Sequence, residues 1–351
     1  MTQLEKLIRE MIAADGPMRI DRYMGLCLGH PEHGYYITRD PLGERGDFIT
    51  APEVSQTFGE LIGVWCIAVW AAMGQPASFN LIELGPGRGT LMCDILRATR
   101  RVSKSFAAAA TVRMVETSPV LRSRQIEILG GQASWHERIE DVPEGPAIVV
   151  ANEFFDAIPI RQFEKREGRW FERVVGLTDN RLKVGLAPAG LKPQGGEGDI
   201  IESAPARNAI AGAIGERLAQ HPGVALIIDY GHLASAPGDT LQAMQQHHYV
   251  PVVAAPGECD LTSHVDFEAL GKAFLASGAA VAPASTQRAF LLAMGLEQRM
   301  SILAARSGDK NRRVLQRQMT RLAGEDQMGN LFKVLAATSP GLATPYPFGQ
   351  T

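Results

Sequence analysis

The sequence has little excess charge, few cysteines and no long apolar run, and each shortage narrows what the chain can be. Net charge is −3, from 35 Lys+Arg against 38 Asp+Glu. A dedicated nucleic-acid binder carries a basic excess to neutralise phosphates, so the balance argues against that class. The four cysteines (Cys27, Cys66, Cys93 and Cys259) lie far apart with no CxxC pair, which argues against a disulfide framework and a zinc site. No metal is expected. The most apolar run, Leu61 to Gly74, is too short to span a bilayer, and Pro76 follows it. The opening stretch MTQLEKLIREMIAADGPMRI mixes acids among its bases and has no apolar centre. It predicts neither a signal nor a transit peptide, and the chain reads as cytoplasmic.

What is present is ordinary globular material: 45% hydrophobic and 21% charged residues, enough for a real core without a staple. The 351 residues exceed the roughly 200 that a nucleotide-binding α/β domain needs, so the extra length asks for an explanation. Apolar residues at Leu4, Leu7, Ile8, Met11 and Ile12 have helical spacing, and 21–28 reads as a second short helix. Residues 30–52 are dense in Gly, Pro, Asp and aromatics, which reads as a long functional loop. A helix follows over about 55–73.

From Phe79 the grammar changes. Short Val/Ile/Leu-rich strands at 79–84, 111–116, 133–136, 147–152 and 224–230 alternate with helices at about 90–103 and 119–129. That alternation predicts an α/β fold with a mostly parallel, doubly wound sheet. Residues 158–187 read as a β-meander with turns at Glu167-Gly168 and Asp179-Asn180. A Gly/Pro-rich loop follows at 187–199, and 232–266 carries few signals of either kind. Helices are expected over 266–277, 287–303 and 312–322, and a late strand over 331–338.

The sharpest motif is Glu83-Leu84-Gly85-Pro86-Gly87-Arg88-Gly89-Thr90, between the first strand and its helix. Glycines let the backbone turn sharply and approach a ligand where a Cβ would collide. A Walker loop would need Lys-Ser/Thr here, and a dinucleotide GxGxxG would need its third Gly one residue later. An acid followed by GxGxG resembles motif I of class I S-adenosylmethionine-dependent methyltransferases. A purely structural turn is the plain alternative. Glu116, at the end of the second strand, can accept both ribose hydroxyls of an adenosine, a geometry that nicotinamide enzymes share. The fourth strand ends in Asn152-Glu153-Phe154-Phe155-Asp156, and ligands of open α/β sheets bind outside such ends. Helix capping by Asn152 and Asp156 is the competing reading. An Asn-Glu here is similar to the substrate-facing loop of arginine methyltransferases, whose second Glu is replaced by Gln162.

The runs GDFITAPEVSQTFGE (46–60), ELGPGRGTLM (83–92), VETSPVLR (115–122), ANEFFDAIPI (151–160), IIDYG (227–231) and DLTSHVDF (260–267) together resemble the MidA-type family. These are S-adenosylmethionine-dependent methyltransferases that include the mitochondrial complex I assembly factor acting as a protein-arginine methyltransferase. The resemblance implies a class I, Rossmann-like methyltransferase core with an N-terminal helical extension, a β-meander insertion and helical additions. Residues 1–75 would form a cap and 76–351 the core, with insertions at about 158–222 and 232–325. It implies S-adenosylmethionine as cofactor, held by Glu83, Gly85, Gly87, Gly89, Thr90, Glu116, Thr117 and Asn152. It also implies a protein partner, an arginine on a respiratory complex I subunit or assembly intermediate.

Methyl transfer is largely a matter of positioning two reactants. A guanidinium, with a pKa above about 12, needs carboxylates to orient it and take up its proton. The catalytic candidates are therefore Glu153, Asp156, Asp229 and His264. Asp47, Thr50, Pro52, Glu53 and Gln56 are the substrate-side candidates. A non-catalytic S-adenosylmethionine-binding assembly protein is the competing function, and a nicotinamide-dependent oxidoreductase a more distant one. No oligomeric state follows from the sequence.

Overall fold

The computed structural model describes residues 1–38 and 50–349. The chain divides into two compact units: Met1–Phe48, Asp156–Ala209 and Ala234–His264 form the first, and Ile49–Phe155, Ile210–Leu233 and Val265–Thr351 the second.

The second unit is built on one large sheet. Its six longest strands are β1 (Phe79–Leu84), β2 (Ala110–Val115), β3 (Ala133–His136), β4 (Ala147–Asn152), β5 (Gly223–His232) and β6 (Phe332–Thr338). They lie in the order β3-β2-β1-β4-β5-β6. The first five are mutually parallel and β6 runs antiparallel to β5. Both faces are covered, because successive side chains point to opposite sides. Leu81, Ile148, Val150, Leu226 and Ile228 enter one apolar cluster, while Ile82, Leu84, Val149, Ala151, Ala225 and Ile227 enter the other. Strand order reverses between β1 and β4, the point at which such sheets open a crevice beyond their carboxyl ends.

Helix α1 (Gln56–Ala72) starts where the Ser55 side chain accepts from Thr57 N–H. It packs on α2 (Thr90–Val102) at Gly59, where an added Cβ would stand 2.5 Å from Asp94 Cβ. The unit boundaries differ from the expected division into 1–75 and 76–351. Gln56–Ala72 lies in the second unit, and only Ala234–His264 of the expected 232–325 insertion lies in the first. The helix expected over 287–303 is two helices, Gln287–Ala293 and Leu296–Ala305, broken at Gly295 with φ 89°.

In the first unit an antiparallel sheet orders Met18–Arg19, Arg169–Thr178, Arg161–Arg166 and Ile200–Ser203, with Arg181–Pro188 also paired to Arg169–Thr178. The two meander turns carry positive φ at Glu167, Gly168, Asp179 and Asn180. Paired left-handed residues match the twist of the strands they join. A three-stranded sheet orders His248–Val250, Gln242–Gln245 and Asp260–Thr262. Helix Gln3–Asp15, capped by Thr2, buries Leu4, Ile8 and Ile12 in this unit's own apolar cluster. Among the described residues no helix is long and apolar enough to cross a membrane.

Candidate functional site

The glycine motif forms the turn from β1 into α2. Gly85, Gly87 and Gly89 have φ of 58°, 54° and 83°, a region costly for any residue with a Cβ. At Gly85 the space is closed as well, since a Cβ would lie 2.7 Å from Phe154 Cδ2. Gly89 N–H donates to the Pro86 carbonyl at 2.8 Å, which tightens the turn. Thr90, the first residue of α2, donates its hydroxyl to Glu53 Oε1 at 2.6 Å.

Two buried acceptors on the strands beside this turn have no hydrogen-bond partner among the described residues: Glu83 Oε2 and Asn152 Oδ1. Glu83 is the last residue but one of β1 and is 3% exposed, and Asn152 ends the neighbouring β4 and is 8% exposed. Burial pushes the Glu83 carboxyl well above the usual carboxylate range; a Met92 N–H bond opposes the rise and nearby Glu116 adds to it. Orphaned buried acceptors are rare and costly, so a pair at one strand edge is a place for a donor-rich, cationic ligand group.

Glu116 follows β2 and is also buried. Its Oε1 accepts from Ser118 N–H at 2.8 Å and its Oε2 from Gln125 Nε2 at 3.0 Å. Burial raises its carboxyl, and these bonds together with the Thr117 backbone hold it down. Thr117 thus acts through its backbone, its side chain being exposed. Each Glu116 oxygen keeps a lone pair for a further donor.

Beyond β4 the backbone of Glu153 takes a positive φ of 52°. Its Oε1 accepts from Ala51 N–H at 2.9 Å and Asn152 Nδ2 at 3.1 Å, and its own N–H donates to the Ile228 carbonyl. A long acidic side chain in this backbone region is strained, and such strain collects at functional sites. Asp229, on β5, is fully buried. Its two oxygens accept from Phe155 N–H and Tyr230 N–H, both at 2.9 Å, so it braces the loop carrying Glu153. Thr50 precedes the short helix Ala51–Val54, which buries Pro52 and carries Glu53. Gln56 is exposed and donates to Glu60 rather than to this turn. Asp47 lies outside the described residues.

Asp156 and His264 belong to the first unit. There the Asp156 carbonyl accepts from Ser263 N–H and from Arg207 Nη2, both at 3.1 Å. Arg207 Nη1 also donates to the His264 carbonyl at 2.7 Å, and His264 N–H to Thr240 Oγ1 at 2.9 Å. Tyr36 donates its hydroxyl to the Asp260 carboxylate at 3.0 Å. Burial, then Asp260 and Asp156, hold that phenol well above its ordinary range. The structure therefore gathers Glu53, Glu83, Thr90, Glu116, Asn152, Glu153 and Asp229 in one unit, and Asp156 and His264 in the other. Sequence reasoning missed Gln125, Phe154 and the Ala51 N–H. Among the described residues no group of three or more His, Cys, Asp or Glu could hold a metal ion.

Comparison with known proteins adds a second line. A family model for S-adenosyl-L-methionine-dependent methyltransferases matches residues 61–284. The chain is 36% identical over 360 residues to the Danio rerio protein arginine methyltransferase NDUFAF7, mitochondrial, covering 93% of this chain and 85% of the relative. It is 33% identical over 369 residues to the Homo sapiens protein of that name, covering 96% and 83%. A Burkholderia thailandensis crystal structure with bound S-adenosyl-homocysteine superposes with a TM-score of 0.84 at 27% identity, covering 97% of this chain and 92% of the other. The relatives are named as mitochondrial proteins, which corrects the expectation of a cytoplasmic chain.

Proposed function

The chain belongs to the S-adenosyl-L-methionine-dependent methyltransferase family whose model it matches, and on that premise we propose that it methylates an arginine of a protein, a respiratory complex I subunit or assembly intermediate. S-adenosylmethionine is its cofactor, and when bound it supplies an electrophilic methyl group on a sulfonium. The residues present fit it. Glu83 Oε2 and Asn152 Oδ1 are acceptors suited to its ammonium group, Glu116 has lone pairs for two ribose hydroxyls, and Gly85, Gly87 and Gly89 leave room for close backbone approach.

The observation that carries the arginine reading is Glu153. Its carboxylate is fixed by the Ala51 N–H and Asn152 amide on a backbone that favours glycine, and Glu53 is tied to the first residue of α2. In this reading Glu153 accepts from the guanidinium, aims one nitrogen at the methyl carbon and takes up the proton that nitrogen loses. Glu53 is a second carboxylate for the same cation. Asp229 keeps the loop in place without touching the reactants. The names of the curated relatives support the same substrate class.

The test is transfer of radiolabelled methyl from S-adenosylmethionine into a protein extract by the wild type and by Glu153→Gln. We expect labelled methylarginine with the wild type and a loss on the order of a hundredfold or more with the variant. Full transfer by Glu153→Gln, or label recovered only in small molecules, overturns the reading. Cofactor binding with no transfer to any substrate would favour a non-catalytic assembly role.

A further inference from the structure

Gln125 is fully buried on α3 (Pro119–Leu129), on the helix face that also buries Leu121 and Leu129. A primary amide in that position must find partners for two N–H donors and a carbonyl. Gln125 finds all three on three separate segments. Its Nε2 donates to the Gly87 carbonyl at 2.7 Å, in the glycine turn, and to Glu116 Oε2 at 3.0 Å, at the end of β2. Its Oε1 accepts from Trp135 Nε1 at 2.8 Å, on β3. The helix also packs on the turn at Gly89, where an added Cβ would stand 3.4 Å from Gln125 Cγ, in ordinary contact.

We propose that Gln125 is the positioning residue of the adenosine end of the cofactor site, locking the glycine turn and Glu116 into one rigid unit. The proposal rests on the assignment of that turn and Glu116 to S-adenosylmethionine. No other side chain of this size donates twice and accepts once from a fixed plane. Methionine here would strand a carbonyl, a carboxylate oxygen and an indole N–H in the core. Glutamate would remove both N–H donors and set a second acid against Glu116. The lock also governs charge. Glu116 must be ionised to accept from two hydroxyls, and burial opposes this while Gln125 and the Ser118 N–H favour it. The titratable groups around it are Glu83 on β1, which feels Glu116 as a like charge, and His136 on β3, whose carbonyl accepts the Glu116 N–H at 2.9 Å. His136 is itself held low by burial and by Arg113 on β2, with Arg122 on α3 adding to this and Asp141 opposing it.

The experiment is calorimetric titration of the full chain with S-adenosyl-homocysteine from about pH 5 to 9, for the wild type, Gln125→Met, Gln125→Glu and Glu116→Gln. Gln125→Met is expected to weaken binding on the order of tenfold and to move the acid-side fall in affinity to higher pH, because Glu116 then protonates sooner. Gln125→Glu shifts the profile the same way. Weaker binding with an unmoved pH profile, or no change at all, overturns the proposal and leaves Gln125 a packing residue. Wild-type affinity in Glu116→Gln overturns the underlying site assignment instead. If Gln125→Met does not fold, Trp135→Phe carries the test. It removes the indole donor together with part of the ring, so a smaller shift of the pH profile in the same direction supports the lock and an unmoved profile refutes it.

Discussion

The strained backbone at Glu153 makes a prediction with an unusual sign. Replacing Glu153 by glycine or by alanine removes the same carboxylate and its bonds to Ala51 and Asn152. The two variants then differ only in backbone freedom at φ 52°. An L-residue in the left-handed region costs about 1–2 kcal/mol, which glycine avoids. Glycine's looser unfolded chain offsets about 0.4–1 kcal/mol of that gain. The glycine variant should therefore be the more stable of the two, by about 0.8 kcal/mol at the midpoints of these ranges, although glycine is normally the worse choice at a non-terminal position. Paired urea unfolding curves read this directly as a higher midpoint for Glu153→Gly at unchanged slope. Both variants should be inactive, since the carboxylate is gone. An alanine variant as stable as the glycine one would refute the strain, and with it the argument that the loop keeps an unfavourable conformation because the carboxylate is needed there.

Other consequences can be measured on the same protein. Gly85→Val places side-chain atoms against Phe154 at a positive φ, so S-adenosyl-homocysteine binding should vanish in calorimetry; retained binding would show that the turn is not the cofactor cradle. Glu83 has a raised carboxyl in the folded chain, so the stability it contributes is complete below the usual carboxylate range and is lost as pH rises through its folded value. The same ionisation favours a cationic ligand group, so S-adenosyl-homocysteine affinity should rise with pH in that window, and Glu83→Gln should flatten this rise. Asp229→Ala leaves the buried Phe155 N–H without its acceptor, so thermal melting should report a loss of about 2–4 kcal/mol. A near-neutral melting curve for that variant would contradict its bracing role.

The core was legible because its strands are short and buried on both faces. FNLIEL, AIVVAN and VALIIDY are apolar runs buried almost throughout, and Ser118 before Pro119 marks the start of the helix that follows β2. The glycine turn and the acids at strand ends were legible for the same reason, since a strand followed by Gly-x-Gly-x-Gly has few other uses. What escaped depends on long-range partners. The strand Ile200–Ser203 is short and half-buried, and pairing with Arg161–Arg166 defines it. Helix Pro205–Gln220 is Ala- and Gly-rich and shows little amphipathic contrast. The short strands between 242 and 262 exist through each other's register, Gln242 opposite Thr262 among them. Gln125 left one trace, a polar residue on the apolar stripe of Leu121 and Leu129, but only the fold shows that it meets Gly87, Glu116 and Trp135.

The most direct test of the account is mass spectrometry of complex I subunits from cells with and without this chain. Arginine methylation of a protein predicts one polypeptide whose methylarginine is present in the parent, absent in the deletion, and restored by the wild type but not by Glu153→Gln. An unchanged methylarginine inventory, with the purified chain still binding S-adenosyl-homocysteine, would contradict it.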